Sequence, residues 1–308
     1  MNPSGGTELQ LGFLQKFVDN KLLDKFSITT SVPEKTPLSK DKINILWQKN
    51  SYDQPNIAPW FKDKRNHDKY DWYVFNSHWN YEKFRMMFDV PTNKCHVIKN
   101  GVTNFQERTV YKPGDTLRVI HQNTPWRGLN VLLAAMQHLQ NDNIILDVYS
   151  STEIYGKEFD EKNRAEYEPL FEQARKLPNV NYIGYRSNDF ILEKLPNYHM
   201  YAYPSIWEET SCISLLECMA AGLYCITTNF GALYETGSEF PIYVTYDKDP
   251  SRLAAVFAHG IRDSLSTLHE PVIQKHLDRQ QDFVKNYYSW DKKAVEWTFF
   301  LKGVLGGQ

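Results

Sequence analysis

Apolar positions along the chain recur with two periods, and the elements they predict alternate nearly from end to end. Residues 6–23, "GTELQLGFLQKFVDNKLL", carry a helical period behind a glycine pair. "INILWQ" (43–48), "DWYVFNS" (71–77) and "KCHVIKNG" (94–101) are apolar runs of strand length. "NYEKFRMMFDV" (80–90) is a helix that Pro91 stops. Beyond residue 116 a second alternation begins. Its strands are "LRVIHQ" (117–122), "NIILDVYSS" (143–151), "VNYIGY" (180–185), "MYAYPS" (200–205) and "YCITTN" (224–229). Its helices are "GLNVLLAAMQHLQ" (128–140), "EYEPLFEQARKL" (166–177), "DFILEKLPNY" (189–198) and "SCISLLECMAAG" (211–222).

Strands that alternate with helices predict parallel, doubly wound sheets. Two such series predict two α/β domains of Rossmann-like build facing across a cleft, where ligands gather beyond the carboxyl ends of the strands. "VYKPGDT" (110–116) has the turn chemistry of a linker. The expected division is residues 1–115, residues 116–286, and a last helix in 287–308, read from "YYSWDKKAVEWTFFLKGVL" with Ser289 as N-cap and Trp290, Val295 and Phe299 among its apolar positions. No strand follows that helix, which suits it to cross back onto the first domain.

Composition narrows this little. The 308 residues, 42% hydrophobic and 23% charged, are ordinary for a folded domain pair. The net charge of −2 hides a basic excess up to about residue 115 and an acidic one after it. No apolar run is long enough for a membrane span, and "MNPSGGTELQ" has no secretory pattern. Four cysteines without C-x-x-C spacing point to buried thiols and a cytoplasmic protein. No histidine pair has metal-ligand spacing, and Asp247 and Asp249 in "YDKDPSR" read as a turn with Asp249 capping the next helix. No metal or cofactor is expected.

The chemistry gathers in "PSIWEETSCISLLECMAAG" (204–222). A strand, a loop and a helix closed by Gly222 place free N–H groups at about Thr210, Ser211, Cys212 and Ile213, an anion site that needs no basic side chain. Glu217 has apolar or small neighbours one turn away, so it lies on a solvated strip or is held for a ligand such as a ribose diol. Glu209 is either a solvated loop carboxylate or a contact for whatever the phosphate carries. Arg127 in "TPWRGLNVLL" suits bidentate phosphate contact, with Gly128 turning the chain into a helix. A surface arginine is the plain alternative. Gly5 and Gly6 form either a phosphate-approaching loop or a flexible terminus.

In order and spacing these segments resemble retaining glycosyltransferase family 4, of the GT-B fold. Glu209 and Glu217 match the ends of its E-x7-E segment, Arg127 a position more often lysine, and "PSGGTELQ" its N-terminal glycine loop. "VIKNGV" (97–102), "TTNFGALYETG" (227–237) and the last helix match further segments. The resemblance implies metal-independent transfer of a sugar from a UDP- or GDP-sugar with retention. It implies that Glu217 binds the ribose, Glu209 the donor sugar, and Arg127, Gly5 and Gly6 the diphosphate. The base is expected against the backbone of Gly184, Tyr185 and Arg186. The family normally has a strand before the glycine loop, whereas this chain starts almost on that loop, so either the first strand is absent or the true start lies upstream. "QKNSYD" stands in place of a histidine after "INILWQ", and Gln122 and Asn123 where a second basic residue is usual. The acceptor is left open among glycan, lipid-linked sugar, protein and nucleic acid. A nucleotide-sugar-binding protein without turnover and a sugar-nucleotide 2-epimerase of the same fold are the alternatives.

Overall fold

The computed structural model describes residues 5–306. It divides into two compact units. The smaller comprises Gly6–Val102, Glu209–Ile213 and the described part of Asn286–Gln308; the larger comprises Gly5, Thr103–Glu208 and Ser214–Lys285.

The smaller unit is built on a parallel four-stranded sheet ordered β1-β2-β3-β4: Phe26–Thr30, Ile43–Gln48, Trp72–Phe75 and Cys95–Val97. Its helices are α1 (Gly6–Phe17), α2 (Asn20–Leu23), α3 (Ala58–Lys62), α4 (His78–Phe88) and, from the other end of the chain, α12 (Trp290–Gly306). The single helix expected over 6–23 is broken because Asp19 turns its carboxylate onto the Lys21 N–H at 2.9 Å and caps a new helix. Strand β1 was not legible, its "FSITT" being short and mixed in polarity. Leu14, Val18, Ile45, Trp47, Val74 and Ile98 form one core with Trp290, Trp297, Leu301 and Val304 of α12. Of the apolar positions read in this helix, Trp290 is buried while Val295 and Phe299 are 66% and 82% exposed, because the face buried in α12 runs through Trp290, Trp297, Leu301 and Val304. A second core, around Phe61, Tyr73, Phe75 and Phe84, contains Leu46 of β2 and residues of α3 and α4.

The larger unit has a parallel six-stranded sheet ordered β10-β9-β8-β5-β6-β7. Its strands are β5 (Leu117–His121), β6 (Ile144–Val148), β7 (Val180–Tyr182), β8 (Met200–Tyr203), β9 (Tyr224–Thr228) and β10 (Ile242–Val244). The helices are α5 (Leu129–Gln137), α6 (Lys157–Lys176), α7 (Asn188–Lys194), α8 (Ile213–Ala220), α9 (Leu233–Gly237), α10 (Pro250–Thr267) and α11 (Pro271–Tyr288), the first residue of α8 and the end of α11 lying across the unit boundary. Strand order reverses where β5 meets β8, which is where an open parallel sheet leaves a crevice beyond its strand ends. The core joins Val119, Leu146, Met200 and Ile226 of the sheet to Leu132, Met136, Phe171, Phe257 and Ile261 of the helices. Asp249 caps α10, accepting from the Ser251 and Arg252 N–H groups at 2.9 and 3.3 Å. Tyr111, inside the expected linker, is buried in this core, and the chain passes between units at Val102 and Thr103. The two parallel-sheet units, with α12 belonging to the first, make the GT-B fold.

Candidate functional site

The loops that leave β5 and β8 meet where the strand order of the larger sheet reverses. After β5 the chain makes a 3-10 turn, Pro125–Arg127, and enters α5 through Gly128 at φ +115°. A Cβ on Gly128 would stand 2.1 Å from the Pro204 carbonyl oxygen, so only glycine lets the two loops meet. The β8 loop is fastened from beneath. Thr228 donates its hydroxyl to the Ser205 carbonyl at 2.8 Å, and Ser205 donates its own to the Trp207 carbonyl at 2.9 Å. Half-buried Arg127 lies with its guanidinium 5.6 Å from the Trp207 ring centroid, within cation–π range.

Gln122 and Asn123, which stand where a basic residue was expected, tie the β5 loop to α8. Asn123 Nδ2 donates to Ser214 Oγ at 2.9 Å, and its Oδ1 accepts from Tyr201 at 2.6 Å. Gln122 Nε2 reaches the Ser214 carbonyl at 3.4 Å and Cys218 Sγ at 3.3 Å. Amides thus position the helix without adding charge. Helix α8 opens at Ile213, two residues later than expected, so its unpaired N–H groups belong to about residues 212–215. Gly222 closes it at φ +76°, donating to the Met219 carbonyl at 3.0 Å.

Glu217 lies on α8 with 4% of its surface exposed. Burial raises its carboxyl from the ordinary range to about 7, and a hydrogen bond from Asn188 acts in the opposite direction. That bond runs from Asn188 Nδ2 to Glu217 Oε1 at 2.8 Å. Asn104 Nδ2 donates to the Glu217 carbonyl at 3.0 Å. Neither asparagine was singled out in the sequence; each lies far along the chain from Glu217 and in no recognisable spacing with it. Gly184 has φ +73° and donates to the Val148 carbonyl at 3.3 Å. Tyr185 is half-buried, and exposed Arg186 bonds the Tyr185 carbonyl at 2.7 Å. Arg127, Gly184, Tyr185, Arg186 and Glu217 therefore belong to one unit, together with Gly5.

The remaining expected residues belong to the smaller unit. Glu209, 2% exposed, begins a segment running to Ile213 that packs with it. Thr210 donates its hydroxyl to the Lys49 carbonyl at 2.8 Å and accepts from Asn76 at 3.1 Å. Ser211 accepts from Asn100 at 3.0 Å. Cys212 is buried, and a Cβ on Gly6 would press on Ile213 at 2.9 Å. Lys49, in the "QKNSYD" segment, is 7% exposed, bonds Asn100 Oδ1 at 2.5 Å and lies 4.1 Å from the Trp47 ring centroid. Burial lowers its ammonium to about 7, with the Glu8 carboxylate opposing the shift. Pro3 and Ser4 of the glycine loop lie outside the described residues.

A concavity of about 450 Å³ on the larger unit, lined by Trp126, Tyr167, Leu170 and Ile206 among others, holds none of these residues. Among the described residues no cluster of three or more histidine, cysteine, aspartate or glutamate side chains is placed to hold a metal. No described helix is long and apolar enough to cross a membrane.

Solved structures with the same fold include a glycosyltransferase from Rickettsia africae ESF-5, 16% identical, with TM-score 0.71 over 100% of this chain and 85% of that one. Sucrose-phosphate synthase (tll1590) from Thermosynechococcus elongatus is 13% identical, with TM-score 0.69 over 98% and 79%. Anabaena Alr3699/HepE in complex with UDP is 14% identical, with TM-score 0.67 over 98% of each chain. No curated protein matches the chain in sequence. The profile of the glycosyl transferases group 1 family matches residues 103–270, more than half of the chain and most of the larger unit, and the protein belongs to that family.

Proposed function

We propose that the protein is a retaining glycosyltransferase of the family 4 type, which takes a sugar from a nucleoside-diphosphate donor without a metal ion or cofactor. The observation that carries this reading is Glu217, a carboxylate buried on α8 with an amide on one oxygen and no charged partner among the described residues. Burying a carboxylate without a charged partner is costly, so its presence on this helix argues for a ligand that supplies donors. A ribose diol does so with two hydroxyls. Arg127 and the N-terminus of α8 then neutralise the diphosphate as the anomeric bond breaks. Glu209 takes the hydroxyls of the donor sugar. With retention the acceptor oxygen attacks from the face the diphosphate leaves, so the two glutamates are not an acid and base pair.

UDP is the first donor nucleotide to test, because Anabaena HepE was solved with it. Calorimetric titration with UDP, GDP, ADP, dTDP and CMP is expected to find one that binds, with the affinity lost in Glu217→Ala. Binding of none, or binding indifferent to Glu217, would overturn the assignment. With a donor in hand, turnover unchanged by EDTA and an α-linked product from an α-linked donor are expected. A β-linked product from that donor would refute retention.

A further inference from the structure

Two buried acceptors beside Glu217 are unsatisfied. Asn188 opens α7 behind Ser187, whose hydroxyl accepts from the Phe190 N–H at 3.3 Å and sets the start of the helix. One face of its amide is occupied by Glu217, while its Oδ1 is buried and accepts from no described group. Asn104 bonds the main chain of Glu217 and leaves its own Oδ1 in the same state. Native proteins seldom leave buried polar atoms unpaired, and an orphan next to a functional group is where a ligand hydrogen belongs.

We propose that Asn188 is a nucleoside-binding and positioning residue: its Nδ2 holds the Glu217 carboxylate, and its Oδ1 accepts a hydrogen bond from a ribose hydroxyl of the donor. This rests on the nucleoside-diphosphate reading above and adds to it the group that orients the ribose-binding glutamate. The arrangement follows from donor and acceptor counting. An ionised carboxylate only accepts, and Asn188 already occupies one of its oxygens. A vicinal diol brings two O–H donors, one for the remaining carboxylate oxygen and one for Asn188 Oδ1. No charged group acts on Glu217 among the described residues. The polar groups on it are Asn188 from α7 and Asn104 from the segment after Val102, so Asn188 alone favours its ionised form.

The experiment measures affinity for UDP, 2′-deoxy-UDP and 3′-deoxy-UDP from pH 5.5 to 8.5 in wild type, Asn188→Ala and Asn188→Asp. In wild type, UDP affinity is expected to fall as pH drops through about 7, where Glu217 takes a proton. Asn188→Ala is expected to weaken UDP roughly tenfold and to cancel the penalty for removing one hydroxyl, and to move the pH midpoint up by about one unit. Asn188→Asp sets a second carboxyl beside Glu217 and is expected to move the midpoint further up. If Asn188→Ala weakens UDP and both deoxy analogues by one factor with an unmoved midpoint, the residue is structural and the proposal fails. Wild-type affinity in Asn188→Ala also refutes it. No UDP binding by wild type overturns the donor reading and this assignment with it.

Discussion

Glu217 and Lys49 are both carried almost entirely out of water, and burial moves them in opposite directions toward a common value of about 7. The raised carboxyl gives full stability below its unfolded value of 4.5 and loses it as pH rises through about 7. Glu217→Gln removes the ionisation, so it is expected to stabilise the protein by about 1–3 kcal/mol at pH 8 and to change it little at pH 5. Calorimetric melting at the two values checks this, and equal shifts at both would contradict it. The lowered ammonium works the other way. Its contribution is complete above 10.5 and is lost as pH falls through about 7. Lys49→Met is therefore expected to stabilise most near pH 6–7, with the gain shrinking towards pH 10, as a denaturant series across that range would reveal. The apolar helical neighbours of Glu217 left it between a solvated strip and a held carboxylate, and the fold buries it. Asn188 was not legible in the sequence, because a hydrogen bond between α7 and α8 leaves no trace in the spacing of either. Val295 and Phe299 show the reverse limit: both are apolar in the sequence, and the stripe that α12 buries passes them by.

At the scale of elements, the meeting of the β5 and β8 loops depends on one residue without a side chain. Gly128 combines a left-handed φ with a Pro204 carbonyl oxygen where its Cβ would be. Gly128→Ala is expected to cost roughly 3 kcal/mol or more, because backbone strain and a clash with main chain add and neither relaxes through a side-chain rotamer. A lower denaturation midpoint together with weakened nucleotide binding is the expected result. Unchanged values of both would mean that the loops can part without consequence. Long apolar runs such as "LRVIHQ" and "MYAYPS" revealed their strands plainly. The start of α6, however, precedes the expected helix by nine residues, through the highly polar "KEFDEKNRA", and Pro169 sits inside it. That stretch is solvated and carried by pairs such as Arg164 with Glu168 at 3.2 Å, for which apolar periodicity has no signal.

For the molecule as a whole, the sequence revealed two alternating series and the return of the last helix, but not where the chain changes unit. The turn chemistry at 110–116 was the stronger local signal; the crossing at Val102 is set by packing that only the fold brings about. The return of α12 has a direct energetic consequence. Trp297 is fully buried, its ring 4.8 Å from that of Trp47 on β2. Trp297→Ala is expected to destabilise the smaller unit by about 3–5 kcal/mol, read as an earlier thermal transition. An unshifted transition would show that α12 contributes little to that core. Where α12 begins, Val102 and Ser289 are paired: the Val102 N–H donates to the Tyr288 carbonyl at 2.8 Å, and the Trp290 N–H donates to the Val102 carbonyl at 3.0 Å. All the chain between those residues is a loop whose ends this clasp must bring together. Closing so long a loop by diffusion opposes folding through its entropy, and contacts of such sequence separation form slowly. Condensation of the residues inside the loop shortens the effective tether before the clasp is made. The order of synthesis works to the same end, since α12 leaves the ribosome after every other described element of the smaller unit, which waits for this wall.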